Sequence, residues 1–223
     1  MAKFMVDFNK LIDDYVYREN RPKSIGRYYP SEAGTCIRKV WYSYKYPQQI
    51  KTDTLKIFEM GNVMHDFIVR VLKSEKMKDV KLLESELPFK LPMENFLISG
   101  RVDDVFLIKS SGKTFVAEIK SSKMLNMIKK PQKHNVMQLQ LYMFATGIHN
   151  GLLVYIEKNT LQAKVFEINF DEDIIKEILN RFNELHDSLL TNNIPPAEAR
   201  INKSDIGWMC NYCEYKEKCD KED

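Results

Sequence analysis

The chain has 223 residues, and its 34 Lys and Arg exceed its 31 Asp and Glu by only three charges. This length predicts one large domain, or a core with small attachments, that can bury a hydrophobic core without disulfides. A net charge of +3 does not indicate a nucleic-acid partner, so any DNA-binding surface has to arise from local clustering.

Membrane and export signals are missing from the sequence pattern. No apolar run approaches the roughly 18 residues that are needed to cross a membrane. The first ten residues lack the apolar stretch of a signal peptide. We therefore expect a cytoplasmic protein with no membrane partner. Thiols stay reduced in that compartment, so the four cysteines are expected to be ligands rather than disulfide partners.

The N-terminal third predicts helices. Apolar residues at helical spacing predict a helix over residues 6–18 and a long amphipathic helix over 54–73. Between these two, Pro30 and Ser31 indicate a helix start with Ser31 as the cap, and the helix is predicted to continue through residues 36–44.

The remainder of the chain predicts strands alternating with helices. Strands are predicted at 80–91, 96–108 and 113–120, then a helix at 132–146 ended by Gly147, strands at 151–157 and 162–169, and a helix at 171–190. This order predicts an α/β fold in which a mixed central sheet is flanked by helices. We expect a single domain over 1–223, with an N-terminal helical segment at 1–50, a core at 54–190 and a cysteine tail at 195–223.

Each of two predicted helices carries a pair of notable residues four positions apart, and this spacing places both members of a pair on one helix face. Gly61 allows a close approach to the backbone, and His65 reaches out beside it. Gln138 and Tyr142 form the second pair, whereas Gln140 lies on another face. Taken alone, a surface histidine and an ordinary amphipathic helix remain the commoner explanations.

Charged residues also interrupt two predicted strands. Asp103 and Asp104 lie in a strand that is otherwise apolar, although carboxylates are depleted in strands. Glu118 and Lys120 share a face, and burying them is costly unless they are paired or bound. Ile119 faces the other way, but its carbonyl can point toward a metal. A solvent-exposed strand end and a surface ion pair are the alternatives.

Together these residues supply the parts of metal-assisted phosphodiester hydrolysis. A histidine, an aspartate and a glutamate form a mainly oxygen coordination shell, which suits Mg2+ or Mn2+. A lysine two residues after the glutamate can polarise a phosphate or help to generate hydroxide from metal-bound water. The occurrence of all four motifs together, in this order along the chain, is more informative than any single motif.

In order, the four motifs resemble those of RecB-like nucleases of the PD-(D/E)xK superfamily. They are Gly61-x-x-x-His65, Gly100-x-x-Asp103, Glu118-x-Lys120 and Gln138-x-x-x-Tyr142. One departure is that Val102 stands where the superfamily often has proline. The spacing from Gly100 favours Asp103 as the motif acid, and strand alternation places Asp104 on the opposite face.

The resemblance implies a restriction-endonuclease-like core and a role for each motif residue. His65, Asp103 and Glu118 would bind the metal, together with the carbonyl of Ile119. Lys120 would orient or activate the attacking water. Finally, Gln138 and Tyr142 would hold the DNA backbone or position the lysine.

The cysteines indicate a second metal site. Cys210, Cys213 and Cys219 have the spacing C-x2-C-x5-C, and the fourth cysteine, Cys36, lies far ahead of them. Four thiolates suit zinc and a 4Fe-4S cluster equally well. Because the nuclease motifs lie between these cysteines, the chain resembles the iron–sulfur branch of the superfamily, which includes CRISPR-associated Cas-four-like nucleases. The resemblance implies a structural 4Fe-4S cluster that joins Cys36 to the tail.

This resemblance implies a metal-dependent DNA exonuclease, with endonuclease activity also open, that acts on single strands or single-stranded ends. In a CRISPR setting it implies trimming of new spacer precursors together with the integrase. Two alternatives stay open: a phage recombination or genome-processing nuclease, and a DNA-binding adaptor module with accessory cleavage. Ring-shaped and dimeric homo-oligomers are both compatible with the sequence.

Two basic groups are candidates for DNA contacts. One lies between the Glu118 strand and the Gln138 helix, where it could meet phosphates or form a solvated loop. Its members are Lys123, Lys129, Lys130, Lys133 and His134. The other surrounds Trp41 and Tyr42, next to Arg38 and Lys39, and could stack on a single strand or pack against the cysteine site.

Overall fold

The computed structural model describes residues 6–203 and 205–222. The helices are α1 (Phe8–Val16), α2 (Ile37–Lys45), α3 (Thr52–Leu72), α4 (Lys133–Thr146), α5 (Glu172–Thr191), α6 (Glu198–Ile201) and α7 (Lys216–Lys221). The strands are β1 (Arg27–Tyr28), β2 (Val80–Pro92), β3 (Leu97–Ile108), β4 (Lys113–Ser122), β5 (Asn150–Glu157) and β6 (Ala163–Asn169). None of the described helices combines the length and the apolar character that crossing a membrane would need.

All six strands form one mixed sheet, which confirms the predicted α/β architecture. β3 is central to it and pairs antiparallel with β2 along one edge. β4 pairs antiparallel with β3 but parallel with β5, and helix α4 supplies the crossover that a parallel pair needs. β6 closes the sheet antiparallel to β5.

β3 and β4 separate part-way along their length. Their pairing starts next to the hairpin and ends at Asp104 opposite Ala117. The first residues of β3 pair instead with β1, at Leu97 opposite Arg27, while β4 continues along β5 as far as Ser122. We call this separation the fork. It leaves the end of β4 without a neighbour on the β3 side, and the predicted catalytic residues lie there.

Helix α4 packs against strands β4 and β5 and against helix α5. Its apolar side chains Leu139, Leu141 and Met143 are fully buried. Gln140 is also fully buried, and its amide donates to the Asn169 carbonyl and accepts from the Asp171 nitrogen. Gln140 therefore joins the end of β6 to the start of α5.

The predicted helices and strands are confirmed to within about two residues, except between residues 30 and 44. Ser31 does not cap a helix that runs through Cys36. It lies in a 3-10 turn at Pro30–Glu32, and α2 begins only at Ile37 with Cys36 as its N-cap. Gly34, in the segment between the 3-10 turn and α2, packs closely against α4, because a Cβ there would lie 2.3 Å from the Cα of His134.

The first helical nitrogen of α2 is satisfied from far along the chain. Ile37 N donates to Glu198 Oε2 at 2.8 Å. Arg181 pairs with the same carboxylate and donates to the carbonyls of Ala33 and Thr35. Short helices in the tail (α6, α7) and the two-residue strand β1 were not predicted from the sequence.

Candidate active site

Asp103 bridges the fork with its side chain. Its Oδ2 accepts a hydrogen bond of 2.9 Å from the backbone nitrogen of Ile119, where a ladder bond would otherwise be expected. Burial, followed by the negative charge of Glu118, raises the pKa of Asp103 well above its usual range. Lys120 and His65 act in the opposite direction. The Asp103 carboxyl group is therefore buried between the negative charge of Glu118 and the positive charges of Lys120 and His65.

Glu118 and Lys120 form an ion pair on β4. Glu118 is fully buried, and burial raises the pKa of its carboxyl group. Burial acts to lower the pKa of Lys120, but the carboxylates of Glu118 and Asp103 outweigh it, so that pKa is raised. The ammonium group is thus held in its charged form beside two acids.

Helix α4 adds Gln138 and Tyr142 to this group. The Gln138 amide nitrogen donates to Glu118 Oε2 at 3.1 Å and to the Tyr142 hydroxyl at 2.7 Å. The amide oxygen lies 3.4 Å from Lys120 Nζ. Gln138 therefore contacts both members of the ion pair and can orient them relative to each other.

His65 reaches the same region from α3. Its Nε2 lies 3.2 Å from Asp104 Oδ2, and its Nδ1 lies 3.8 Å from Glu86 Oε1. The hydrogen bond with Asp104 outweighs burial and raises the pKa of His65 to about 9. Sequence reasoning assigned no role to Asp104 or Glu86, although the adjacent acids Asp103 and Asp104 were visible as a pair.

β2, the partner strand of β3, is irregular close to these acids. Its register against β3 shifts between Leu82 and Glu84, and Glu86 has a left-handed backbone with φ 54°. The two consecutive acids of β3 have different partners, since Asp103 accepts from the Ile119 nitrogen and Asp104 contacts His65.

The acids suit a divalent cation by their chemistry. Asp104 is fully buried and its Oδ1 has no hydrogen-bond partner among the described residues, while Asp103 and Glu118 have raised pKa values. A cation would relieve this concentration of buried carboxyl groups. Within residues 6–203 and 205–222, no three His, Cys, Asp or Glu side chains yet lie close enough to share one ion.

A comparison with protein-family models assigns the chain to a family. The model of the PD-(D/E)XK nuclease superfamily matches residues 18–220. The chain belongs to this nuclease superfamily. This finding confirms the resemblance on which the motif assignment rests, while the individual roles of the site residues stay predictions.

The nuclease is also similar to individual proteins. It is 26% identical over 192 residues to the CRISPR-associated exonuclease Cas4 of Saccharolobus solfataricus, with 86% of each chain covered. The crystal structure of SSO0001 superposes with a TM-score of 0.62 at 22% identity, over 93% of this chain and 90% of that one. The alkaline exonuclease LHK-Exo from Laribacter hongkongensis gives a TM-score of 0.54 at 16% identity, over 75% and 90%. At such identities the two structures show the shared fold.

The four cysteines of the nuclease line one cavity, as the sequence predicted. Cys36 comes from the start of α2, and the other three, Cys210, Cys213 and Cys219, come from the tail. All four are free thiols, and burial raises the pKa of Cys210 and Cys213. Four free thiols from both ends of the chain are the donor set of a four-thiolate metal centre, although the described thiols do not lie close enough to share a single ion.

The tail of the nuclease is also held by contacts that need no metal. Arg38 Nε donates to the Pro195 carbonyl at 2.7 Å, and its Nη1 lies 3.7 Å from Cys219 Sγ. Tyr42 stacks on Tyr215 with ring centroids 5.4 Å apart. These contacts place the tail cysteines beside Cys36.

Trp41 and Tyr42 do not stack on a DNA strand, because each is only 1% exposed. The Trp41 indole donates to the Ser188 carbonyl at 3.0 Å, and both rings belong to the main core cluster. The alternative, in which these aromatics pack within the protein, is the one that the structure supports. Lys39, which follows the cysteine, forms an ion pair with Glu214.

The basic residues between the Glu118 strand and the Gln138 helix lie in different environments. Lys133 pairs with Glu177 at 2.8 Å, and the His134 ring packs against Trp208. Burial lowers the pKa of His134 to about 4, so this side chain is neutral near pH 7. Lys123 lines an open cleft of about 560 Å³ that also reaches Lys120.

Proposed function

We propose that this nuclease is a Mg2+- or Mn2+-dependent DNA exonuclease. The observation that supports this most directly is the contact network of Glu118, Lys120 and Gln138 beside Asp103. It joins a charged ammonium group to buried carboxyl groups at the end of an accessible cleft. The names of the Saccharolobus and Laribacter relatives, both exonucleases, are consistent with this activity.

Each residue has a task that follows from its contacts. Asp103, Glu118 and His65, with the Ile119 carbonyl, would hold the cation, which supplies Lewis-acid polarisation of the phosphate and of water. Lys120 keeps a positive charge where the transition state gains negative charge. Gln138 fixes the ammonium group relative to Glu118, because it contacts both.

The cleft beside Lys120 gives the substrate access to these groups. Ser31, Lys123, Gln132 and His134 contribute to its walls. The cleft is open to solvent, which suits a polymer that must slide past the catalytic groups. Phosphates of the DNA backbone would meet the ammonium groups of Lys120 and Lys123 there.

The experiment is a time course with end-labelled single-stranded and double-stranded DNA in Mg2+ and in Mn2+. Glu118→Ala and Lys120→Ala should abolish cleavage, and EDTA should abolish cleavage by the unaltered protein. Glu167→Ala and Lys176→Ala are matched controls, because both residues are exposed and lie away from the fork. Undiminished cleavage by Glu118→Ala and Lys120→Ala would contradict the assignment of these residues to the active site.

We further propose that the cysteine cavity holds a 4Fe-4S cluster with a structural role. Convergence of four free thiols supports a four-thiolate centre, and the nuclease motifs between the cysteines favour iron over zinc. The cluster would fix the tail against α2, where Cys36 is the N-cap.

The similarity to a CRISPR-associated exonuclease supports a role in spacer acquisition, together with the CRISPR integrase. Single-stranded ends of spacer precursors would be the substrate. The test is trimming of duplexes with single-stranded overhangs, with and without the integrase. Shortened overhangs and co-elution with the integrase are expected. Cleavage that depends on neither the overhang nor the integrase would contradict this role and favour a phage-type processing nuclease.

A further inference from the structure

A second groove lies on the β2 side of the fork and has no role in the site described so far. Its volume is about 780 Å³, within the range of about 300–1,000 Å³ that is typical of ligand sites. The side chains that matter for its chemistry are Arg27, Tyr29, Glu86, Lys90, Ser99 and Arg101.

This groove leads to the catalytic residues through Glu86. The Glu86 carboxylate pairs with Arg101 in the groove at 2.9 Å. Its other oxygen lies 3.8 Å from His65 Nδ1, and His65 in turn contacts Asp104. A chain that lies in the groove would therefore enter the catalytic site beside His65.

Positive charge exceeds negative charge along the groove. Arg27, Lys90 and Arg101 contribute three cations, and Glu86 is the one carboxylate among the residues that line it. Lys90 forms no ion pair or hydrogen bond through its side chain with any described residue. Uncompensated cations along an open groove attract a phosphate backbone.

Arg27 is held in place before any ligand arrives. Its Nε donates to Ser99 Oγ at 2.9 Å, and its guanidinium group lies over the Tyr29 ring at 5.7 Å. Because the hydrogen bond to Ser99 uses only Nε, the two terminal nitrogens of Arg27 can bind a phosphate. The outer face of the guanidinium group can stack on a base. A planar cation over an aromatic ring suits unpaired bases better than the stacked interior of a duplex.

The floor of the groove is closely packed. Gly100 lies under Pro30, and a Cβ at position 100 would come within 2.8 Å of two Pro30 ring atoms. Because Pro30 follows Tyr29 and Gly100 precedes Arg101, this contact fixes two parts of the groove relative to each other. The glycine of the Gly100-x-x-Asp103 motif therefore has a packing role that also shapes the groove.

We propose that this groove binds the backbone of single-stranded DNA and guides it toward the catalytic site from the β2 side, while the Lys120 cleft lies on the β5 side. The proposal rests on the proposed nuclease function and specifies its substrate as a single strand. The catalytic acids on β3 and β4 lie between the two surfaces, so a strand that crosses both would place a phosphodiester bond at the fork.

The test measures the salt dependence of binding to a fluorescein-labelled oligothymidylate in EDTA, by polarisation. Arg27→Gln/Lys90→Gln removes two cations without touching the catalytic group. The slope of log K against log salt should fall in magnitude by about 1.4, since each lost contact is worth about 0.7 on a single strand. Lys113→Gln/Lys176→Gln is the matched control, with two exposed lysines elsewhere, and its slope should not change.

Several outcomes would overturn the proposal. They are an unchanged slope in the groove variant, an equal fall in the control, and an equal loss of affinity for a duplex of the same length. A Mn2+ cleavage assay on single-stranded DNA runs in parallel with the unaltered protein and with the Lys113→Gln/Lys176→Gln control, and both should cleave at the same rate. If the unaltered protein fails to cleave while the slope falls as expected, the nuclease proposal fails and the groove stands; the reverse result removes only the groove.

Discussion

The carboxylate of Asp103 accepts a hydrogen bond from the backbone nitrogen of Ile119, at the point where β3 and β4 stop pairing with each other. One side chain thus substitutes for a backbone ladder bond and links the two strands across the fork. The same bond orders the backbone between Glu118 and Lys120. An acid at this position can therefore serve the sheet and the catalytic site together.

The first prediction separates the two adjacent acids. Asp103→Asn should lower the rate of DNA cleavage by more than about 100-fold, because Asp103 lies beside Glu118 and Lys120. Asp104→Asn should cost about 10- to 100-fold, as is typical for a residue that acts through a ligand, since its contact is with His65. Both rates are measured at saturating Mn2+. A larger loss in the Asp104 variant would reverse the assignment.

The second prediction concerns the cysteine cavity. Protein purified without oxygen should be brown, absorb near 400 nm and contain about four iron atoms per chain. Cys210→Ser should remove most of the iron and this absorption, whereas Met209→Leu, at a neighbouring position in the same cluster of side chains, should keep both. A content of about one zinc per chain without iron would refute the cluster.

The third prediction is a pH dependence of stability from His134. Its pKa in the folded protein is about 4, below the usual value of about 6.5, so folding favours the neutral ring. The resulting stability is present above pH 6.5 and is lost as the pH falls toward 4.

Between pH 7 and pH 5 this effect should cost roughly 1–2 kcal/mol of unfolding free energy. Urea unfolding of the unaltered protein and of His134→Gln at both pH values measures it, and the difference between the two proteins isolates this residue from other titrating groups. Equal pH dependence in both proteins would show that His134 titrates normally.

The fourth prediction compares two motif glycines. Gly100→Ala should destabilise the protein by about 1–3 kcal/mol, because the added Cβ would clash with Pro30. Gly61→Ala should stabilise it by about 0.5–1 kcal/mol, because no atom lies within 4 Å of the added Cβ in the middle of α3.

Activity adds the second half of this comparison. If Gly61 serves close approach of the substrate to the backbone, Gly61→Ala should cleave DNA more slowly although it is more stable. Thermal unfolding and the initial cleavage rate are measured on the same samples. A stabilised variant with a full cleavage rate would show that Gly61 has no part in substrate approach.

The helices and strands of the core could be predicted from the sequence, because their apolar periodicity is a local property that each segment carries on its own. It also predicted that Glu118 and Lys120 would share a face and that Gln138 would lie beside Tyr142, since strand and helix periods set both relations. The cysteine spacing predicted a shared site, and the four thiols do line one cavity.

The contacts between residues across the fork could not be predicted from the sequence, because they depend on how distant segments pack. His65 contacts Asp104 from a separate helix, and Glu86 approaches His65 from a left-handed backbone that no sequence pattern indicated. The start of α2 is a second example. The backbone nitrogen of Ile37 is capped by Glu198, which lies 161 positions later in the chain. Such partners depend on packing between distant segments, whereas periodicity reports only on neighbours along the chain.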